Sequence, residues 1–488
     1  MQNRTPILDA ITEYIETEPA YFRIPGHRLD RGISSRWTQK VGSDIFKYDV
    51  TETPMTDDLH NPEAAIREAQ NLAAELYGAR RSFFLVNGTT CGNEAMIMSA
   101  VNPGEKIMVA RNAHKSAMMG LIISGAEPVY VMPQVCESWG IQGGITPEDV
   151  EKTFQEHPDC KALFLVSPSY YGVCSDLSAI ADVCHAHGAL LLVDEAHGGH
   201  LYFRKGNDKK SPRGALELGA DMCVQSMHKI TGALTQSSIL HIGTERVDAD
   251  RVAKNLHIVQ STSPSYLLMT SLDCARYELA LHGEEMLQKA MEQANKLRQQ
   301  IRSIPGMLCM GSEVAGTCGI HALDETRLVI SARMLGISGY ELDEKLFHKY
   351  HVDMELSDAE NVLAIITYAN IASDGQRMLD ALHKISEEYG DADKTISCPK
   401  GLSLPSIPKQ NMTPREAYYA GTRTIPWKDA VGCISGEMLA PYPPGIPVIY
   451  PGEVITQEVW DYMEVYRLGG HHMHGPADDT LRTIQVLN

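Results

Sequence analysis

Four short stretches hold residue types that could do chemistry together: Asn87-Gly88-Thr89-Thr90-Cys91-Gly92-Asn93, Arg111-Asn112-Ala113-His114-Lys115, Asp194-Glu195-Ala196-His197 and Ser226-Met227-His228-Lys229. In the first, a glycine lets the backbone approach an anion. Hydroxyls at the start of a helix then suit a phosphate, although a tight turn with a helix cap uses the same residues. His114 either stacks on an aromatic ligand or caps the helix that follows. The Asp-Glu-Ala-His run after an apolar strand resembles the metal box of a nucleic-acid motor. That reading needs a phosphate loop of the form G-x-x-x-x-G-K-[ST] upstream, and the chain has none. A net charge of −19 also opposes any general affinity for nucleic acid. Asp194 is then open to another task, such as pairing with a protonated ring nitrogen, or it caps the next turn. A partly buried lysine beside other cations loses its proton more readily and can form an imine, which is the chemistry open to Lys229.

The elements that must position these groups follow from periodicity. RSFFLV (81–86), KIMVA (106–110), PVYVM (128–132), ALFLV (162–166) and ALLLV (189–193) read as buried strands, and SILHI (238–242) as a further one. Between them lie helical patterns such as PEAAIREAQNLAAELYG. Continuous apolar strands alternating with helices predict an α/β domain with a mostly parallel sheet. In open sheets of this kind, functional groups gather beyond the carboxyl ends of the strands, where all four stretches fall. The loop 167–176, SPSYYGVCSD, lies on the same rim. A phosphate cup, a stacking histidine, a carboxylate and a lysine on successive strand ends describe a pocket for pyridoxal phosphate. In it Lys229 binds the aldehyde, Asp194 the ring nitrogen, Gly88, Thr89, Thr90 and Ser226 the phosphate, and His114 the ring face.

With those residues in view, the sequence resembles the fold-type-I pyridoxal-phosphate decarboxylases of ornithine, lysine and arginine. The stretches that carry the resemblance are FRIPGHR (22–28), GTTCGN (88–93), RNAHKS (111–116), DEAHGGH (194–200), SMHK (226–229), LTQSSILH (234–241), STSPSY (261–266) and YPPGIPVIYPGE (442–453). They run in family order through nearly the whole chain, and its length resembles the short bacterial enzymes. The resemblance implies an aminotransferase-like major domain, with Lys229, His228 and Asp194 as catalytic residues. It implies cofactor contacts at Gly88, Thr89, Thr90, His114, Asp194, Ala196, His197, Ser226 and Lys229. Ser261 matches a position where a partner subunit reaches the phosphate, which implies a homodimer or larger homo-oligomer, though a turn serine would look the same. The implied reaction is decarboxylation of a basic L-amino acid. Arginine to agmatine, within polyamine synthesis, stands ahead of lysine or ornithine, and an aminotransferase or lyase reaction is the more distant alternative.

A cationic substrate needs an acceptor for its distal charge. Glu453 in the PGE turn is the first candidate, followed by Glu355 and Asp358 in MELSD; a solvated loop acid is the bland reading of each. The run Gly470-His471-His472-Met473-His474 belongs to no motif of the family, and without a paired cysteine or carboxylate pattern it predicts a solvated turn and no metal.

The wider chain fits a globular enzyme. Its 488 residues, 43% hydrophobic and 22% charged, predict several domains: an N-terminal arm (1–60), a cofactor-binding major domain (61–275), a small α+β domain (276–390) and a C-terminal domain (391–488). The N-terminus lacks the apolar core of a secretory signal, and no apolar run approaches the ~20 residues that cross a bilayer. Eleven scattered cysteines without a C-x-x-C pair fit a cytoplasmic protein with reduced thiols.

Overall fold

The computed structural model describes residues 2–205, 211–390, 405–441, 447–468 and 473–488. The chain forms two compact units, Met1–Ser99 with Leu192–Lys205 and Arg213–Glu285, and the remainder. The six strands named from the sequence are present as β1 (Arg81–Leu85), β2 (Lys106–Ala110), β3 (Glu127–Val131), β4 (Ala162–Val166), β5 (Leu190–Asp194) and β7 (Ser238–Ile242), and β6 (Met222–Ser226) lies between the last two in the chain.

In the first unit β5 runs parallel to β6, with Asp194 opposite Val224. β7 turns back antiparallel between β6 and β1, pairing Ser238 with Ser226 on one side and with Leu85 on the other. The eleven residues between β6 and β7 are too few for the crossover that a parallel partner requires, so the chain reverses. The register therefore aligns Leu85, Ser238 and Ser226 in one row at the strand ends. Helix Gly88–Ala100 leaves β1 through Gly88, whose φ of +73° suits a residue without Cβ. One helical turn later, a Cβ on Gly92 would sit 2.5 Å from Val224 Cγ2 and 2.8 Å from Leu85 Cδ1. The helix thus lies directly on β1 and β6.

Helix Ala65–Tyr77 precedes β1, buries Ile66, Ala69, Leu72, Ala73 and Tyr77, and ends at Gly78 with φ +67°. The arm helix Pro6–Glu16 is fixed to the 37-residue helix Tyr266–Arg302: Ile7 N donates to Asp273 Oδ2 at 2.9 Å, and Asp273 pairs with the fully buried Arg276 at 2.8 Å. The second half of that long helix is the amphipathic run EEMLQKAMEQANKLRQQI (284–301).

In the second unit β2 lies parallel to both β3 and β4. Helices Lys115–Ser124 and Pro147–Glu156 connect these strands, and Leu177–Ala186 follows β4; Thr146 caps the second helix by accepting from Asp149 N, and Asp176 caps the third by accepting from Ala179 N. The same unit holds an antiparallel sheet of β8 (Leu308–Cys309), β9 (Arg327–Ser331), β10 (Leu356–Ser357) and β11 (Val362–Ile365) in the order β8-β9-β11-β10. Helices Gly339–Tyr350 and Ala372–Tyr389 add Leu342, Leu346, Leu382 and Ile385 to its core. Towards the C-terminus β12 (Thr422–Pro426) and β13 (Thr483–Leu487) pair antiparallel. Gly470, His471 and His472 of the histidine run, Tyr442–Ile446 of the YPPGIP motif and most of the 391–410 stretch lie outside the described residues; His474 pairs with Ala440 in a short two-stranded ladder. No helix among the described residues is long and apolar enough to cross a membrane.

The close approach at Gly92 gives a test with an informative sign. On an exposed helix Gly→Ala stabilises by ~1 kcal/mol, whereas here the added methyl meets two side chains. Gly92→Ala should destabilise the chain by ~1–3 kcal/mol in denaturant unfolding, and a stabilised variant would refute this packing.

Candidate active site

Strand parity decides which groups meet. Asp194, Val224, Ser226, Ser238 and Leu85 share one face of the first-unit strands, the face that carries helix Gly88–Ala100. There Thr89 Oγ1 lies 2.5 Å from Ser226 Oγ and 3.0 Å from Ser238 Oγ, and all three residues are buried. Three hydroxyls converging beneath the amino end of a 13-residue helix form a donor set suited to a phosphate. Gly88 and Thr90 complete that turn, and Thr90 is only half-buried. Asp194, 3% exposed, accepts from Asn93 Nδ2 at 2.7 Å through Oδ2 and from Ala196 N at 3.1 Å through Oδ1. Both donors are neutral, and each oxygen keeps a further lone pair for a cation.

Lys229 stands one turn past the end of β6 in the short helix Met227–Ile230, and its Nζ lies 2.9 Å from Nε2 of the buried His197. His228 Nδ1 donates to Ser237 O at 3.1 Å, which leaves Nε2 as its basic nitrogen. Burial lowers the His228 pKa below the ordinary imidazole range, outweighing the Ser237 hydrogen bond, and the charge of Lys229 acts in the same direction. Ser261 is exposed; its carbonyl accepts from His60 Nε2 at 2.8 Å, and its amide donates to Asn87 Oδ1 at 3.4 Å.

The opposite face of the same strands is polar as well. Glu195, fully buried, accepts from Ala215 N at 2.6 Å, Gln225 Nε2 at 2.8 Å and Tyr202 Oη at 3.0 Å. Gln225 Oε1 accepts from His241 Nε2 at 3.2 Å, and His241 Nδ1 lies 2.7 Å from Ser82 Oγ. Burial pushes the Glu195 carboxyl up to about 7 despite its three donors, and holds His241 neutral with a pKa of about 3. The motif Asp194-Glu195 therefore serves two separate environments.

Several expected residues belong to the second unit. His114 caps helix Lys115–Ser124, accepting from Ser116 N through Nδ1, and its side chain is exposed. Glu453 does not stand open to a substrate cation. Arg111 Nη1 and Nη2 donate to its Oε1 and Oε2 at 2.6 and 2.7 Å, and Tyr450 N donates to Oε2 at 2.7 Å. The pair is buried, and the Arg111 guanidinium also lies 4.6 Å from the ring centres of both Tyr130 and Tyr450. A resident guanidinium thus occupies the place expected for the substrate's. Asp358 is likewise engaged, accepting from Glu360 N at 2.7 Å, Asn361 N at 2.8 Å and Tyr171 Oη at 2.6 Å. Of the three expected acceptors Glu355 alone is exposed. Among the described residues no group of three or more His, Cys, Asp and Glu side chains is arranged to hold a metal ion.

Sequence reading missed Asn93 and Ser238. The signal for Asn93 was its spacing: four residues after Thr89, it projects from the same helix face. Ser238 was marked by its place at the start of SILHI, opposite Ser226.

Comparison with known proteins places these features in context. The family model "Orn/Lys/Arg decarboxylase, major domain" matches residues 5–326, and that of the C-terminal domain matches residues 402–480. The chain is 40% identical to an arginine decarboxylase of Halalkalibacterium halodurans and 39% identical to one of Bacillus subtilis, with 100% of this chain and 98% of each relative covered. The fold is similar to the crystal structure of a lysine decarboxylase of Francisella novicida, with a TM-score of 0.84 at 20% identity over 100% of this chain and 81% of the other.

Two buried carboxylates generate tests. The raised Glu195 pKa means that the folded chain keeps a proton between pH 4.5 and about 7 where the unfolded chain has lost it. Its contribution to stability therefore falls as pH rises through that window, by ~3 kcal/mol for a shift of this size. Relative to the parent chain, Glu195→Gln should gain stability from pH 5 to pH 8 in denaturant unfolding; parallel stability curves would exclude the shift. Glu453→Gln should cost ~3–5 kcal/mol, because it leaves a buried guanidinium without its counter-charge. An unchanged melting temperature together with weakened substrate binding would return Glu453 to the substrate site.

Proposed function

The chain belongs to the Orn/Lys/Arg decarboxylase family, and from that premise we propose that it removes the α-carboxylate of L-arginine as CO₂, leaving agmatine, with pyridoxal 5'-phosphate as its cofactor. The observation that carries the reading is the meeting, within one unit, of the Thr89–Ser226–Ser238 hydroxyls, the neutrally bonded Asp194 carboxylate and the Lys229 amine. That donor set fits a group with a phosphate at one end, a protonated nitrogen at the other and an aldehyde within reach of a lysine. Full-length identity near 40% to arginine decarboxylases supports arginine ahead of lysine or ornithine.

When bound, the cofactor supplies a conjugated ring that accepts the electron pair released as the C–C bond to CO₂ breaks. Gly88, Thr89, Thr90, Ser226 and Ser238 would bind its phosphate, Lys229 its aldehyde carbon and Asp194 its ring nitrogen. Ala196 N and His197 hold Asp194 and Lys229 in place, and His114 is the proposed cover for the ring. After CO₂ leaves, a proton must reach the substrate's α-carbon. Burial lowers the His228 pKa, so His228 holds a second proton less readily and offers a lone pair at Nε2. His228 and Lys229 are the two residues within the site that could deliver that proton. Among the acidic candidates Glu355, the exposed one, is the proposed partner of the substrate's guanidinium. The proposal includes a homodimer in which Ser261 serves the partner's site, and a cytoplasmic role in polyamine synthesis. None of the ten described cysteines forms a disulfide, which supports a reducing compartment.

Purified protein supplied with pyridoxal phosphate should release CO₂ from arginine with stoichiometric agmatine, and do so faster than from lysine or ornithine. Lys229→Ala should lose the visible absorption of the lysine-linked cofactor and at least ~1,000-fold in turnover. Cadaverine or putrescine as the main product would change the substrate, and a keto acid in place of CO₂ would change the reaction.

A further inference from the structure

Helix Gly88–Ala100 contributes a second polar side chain to the site. Thr89 and Asn93, four residues apart, leave the helix on one face; Thr89 ends on Ser226 and Ser238, and Asn93 ends on Asp194. Asn93 is 1% exposed and Asp194 3%. An asparagine inside a helix competes with the backbone for hydrogen bonds and lowers helix propensity, and a buried carboxamide is costly unless it is bonded. Neither helix formation nor core packing accounts for this residue type here. It supplies a neutral N–H, fixed by the helix, on Oδ2, while Ala196 N holds Oδ1 from the turn after β5. Two donors from two different elements stop the carboxylate from rotating about its Cβ–Cγ bond. Because neither donor is charged, neither competes with a ligand cation for the carboxylate.

We propose that Asn93 is a positioning residue for the reaction, holding the Asp194 carboxylate at the angle that pairs with a protonated pyridine nitrogen. The proposal rests on the role given to Asp194 above. It makes GTTCGN a two-ended motif: its first turn addresses the phosphate, and its next turn sets the group that addresses the ring.

The test is a double-mutant cycle on the full-length chain with Asn93→Leu, which keeps the branched shape and removes the donor, Asp194→Asn, and the two combined. Affinity for pyridoxal phosphate is measured by titrating the cofactor-free protein, and the visible band of the loaded protein is followed against pH. Circular dichroism and melting of the cofactor-free chains report folding. Asn93→Leu should bind the cofactor ~10-fold or more weakly, the size of a lost hydrogen bond to a charged group, and its band should shift with pH towards the behaviour of Asp194→Asn. In the Asp194→Asn background the leucine should add nothing. Losses that multiply in the double variant, or parent-like affinity and pH response in Asn93→Leu, would overturn the positioning role while leaving Asp194 in place. Parent-like behaviour of Asp194→Asn would instead remove the reading beneath it. If Asn93→Leu melts early, Asn93→Ser, polar but too short to reach Oδ2, replaces it in the same cycle with the same expected outcomes.

Discussion

The register of β6 against β5 and β7 is the constraint on which the site depends. Side chains alternate along a strand, so residues paired across these strands share a face. Asp194 opposite Val224, and Ser226 opposite Ser238, put the carboxylate and two of the three hydroxyls on one side. A slip of one residue in β6 would turn Ser226 and Val224 away and present Gln225 and Cys223 in their place. Helix Gly88–Ala100 guards against that slip. Gly92 packs on Val224 and Leu85 with no room for a methyl, so a slip that brought the longer Gln225 beneath it would clash. The polar face behind is matched in the same way, since Ser82, His241, Gln225 and Glu195 form a hydrogen-bonded chain across four successive segments. A shifted strand would leave these buried groups without partners. Packing on one face and hydrogen bonding on the other thus specify the same register.

Much of this was legible in the sequence because it is local. Each strand is a short apolar run, and each candidate group ends its strand or follows it by a few residues, so strand ends and candidate chemistry could be read together. The direction of β7 was not read, although the short connection from β6 implies it. Asn93 was also within reach, as an i, i+4 partner of Thr89.

Glu453 could not be read locally. Its partner Arg111 lies 342 residues away, and no pattern near either residue announces a buried ion pair. A Pro-Gly-Glu turn looks like an exposed loop, since turns are normally at the surface. Here the turn is closed over by Arg111, Tyr130 and Tyr450. Asp358 illustrates the same limit over a shorter range. Its carboxylate caps the turn that contains it, an ordinary role for Asp that competes directly with substrate recognition.

Three buried carboxylates in this chain differ in what holds them, and the difference supports the role proposed for Asp194. Glu453 is held by a guanidinium, so its charge is spent inside the protein. Glu195 has three neutral donors in complete burial, and the cost of an isolated charge there raises its pKa to about 7. Asp194 has two neutral donors, one per oxygen, and an open lone pair on each. That arrangement leaves Asp194 room for the cation which its proposed role assigns to it. The Asp-Glu pair places one carboxylate on each side of a strand end, and alternation puts Asp194 on the face of the proposed site and Glu195 on the face of the core.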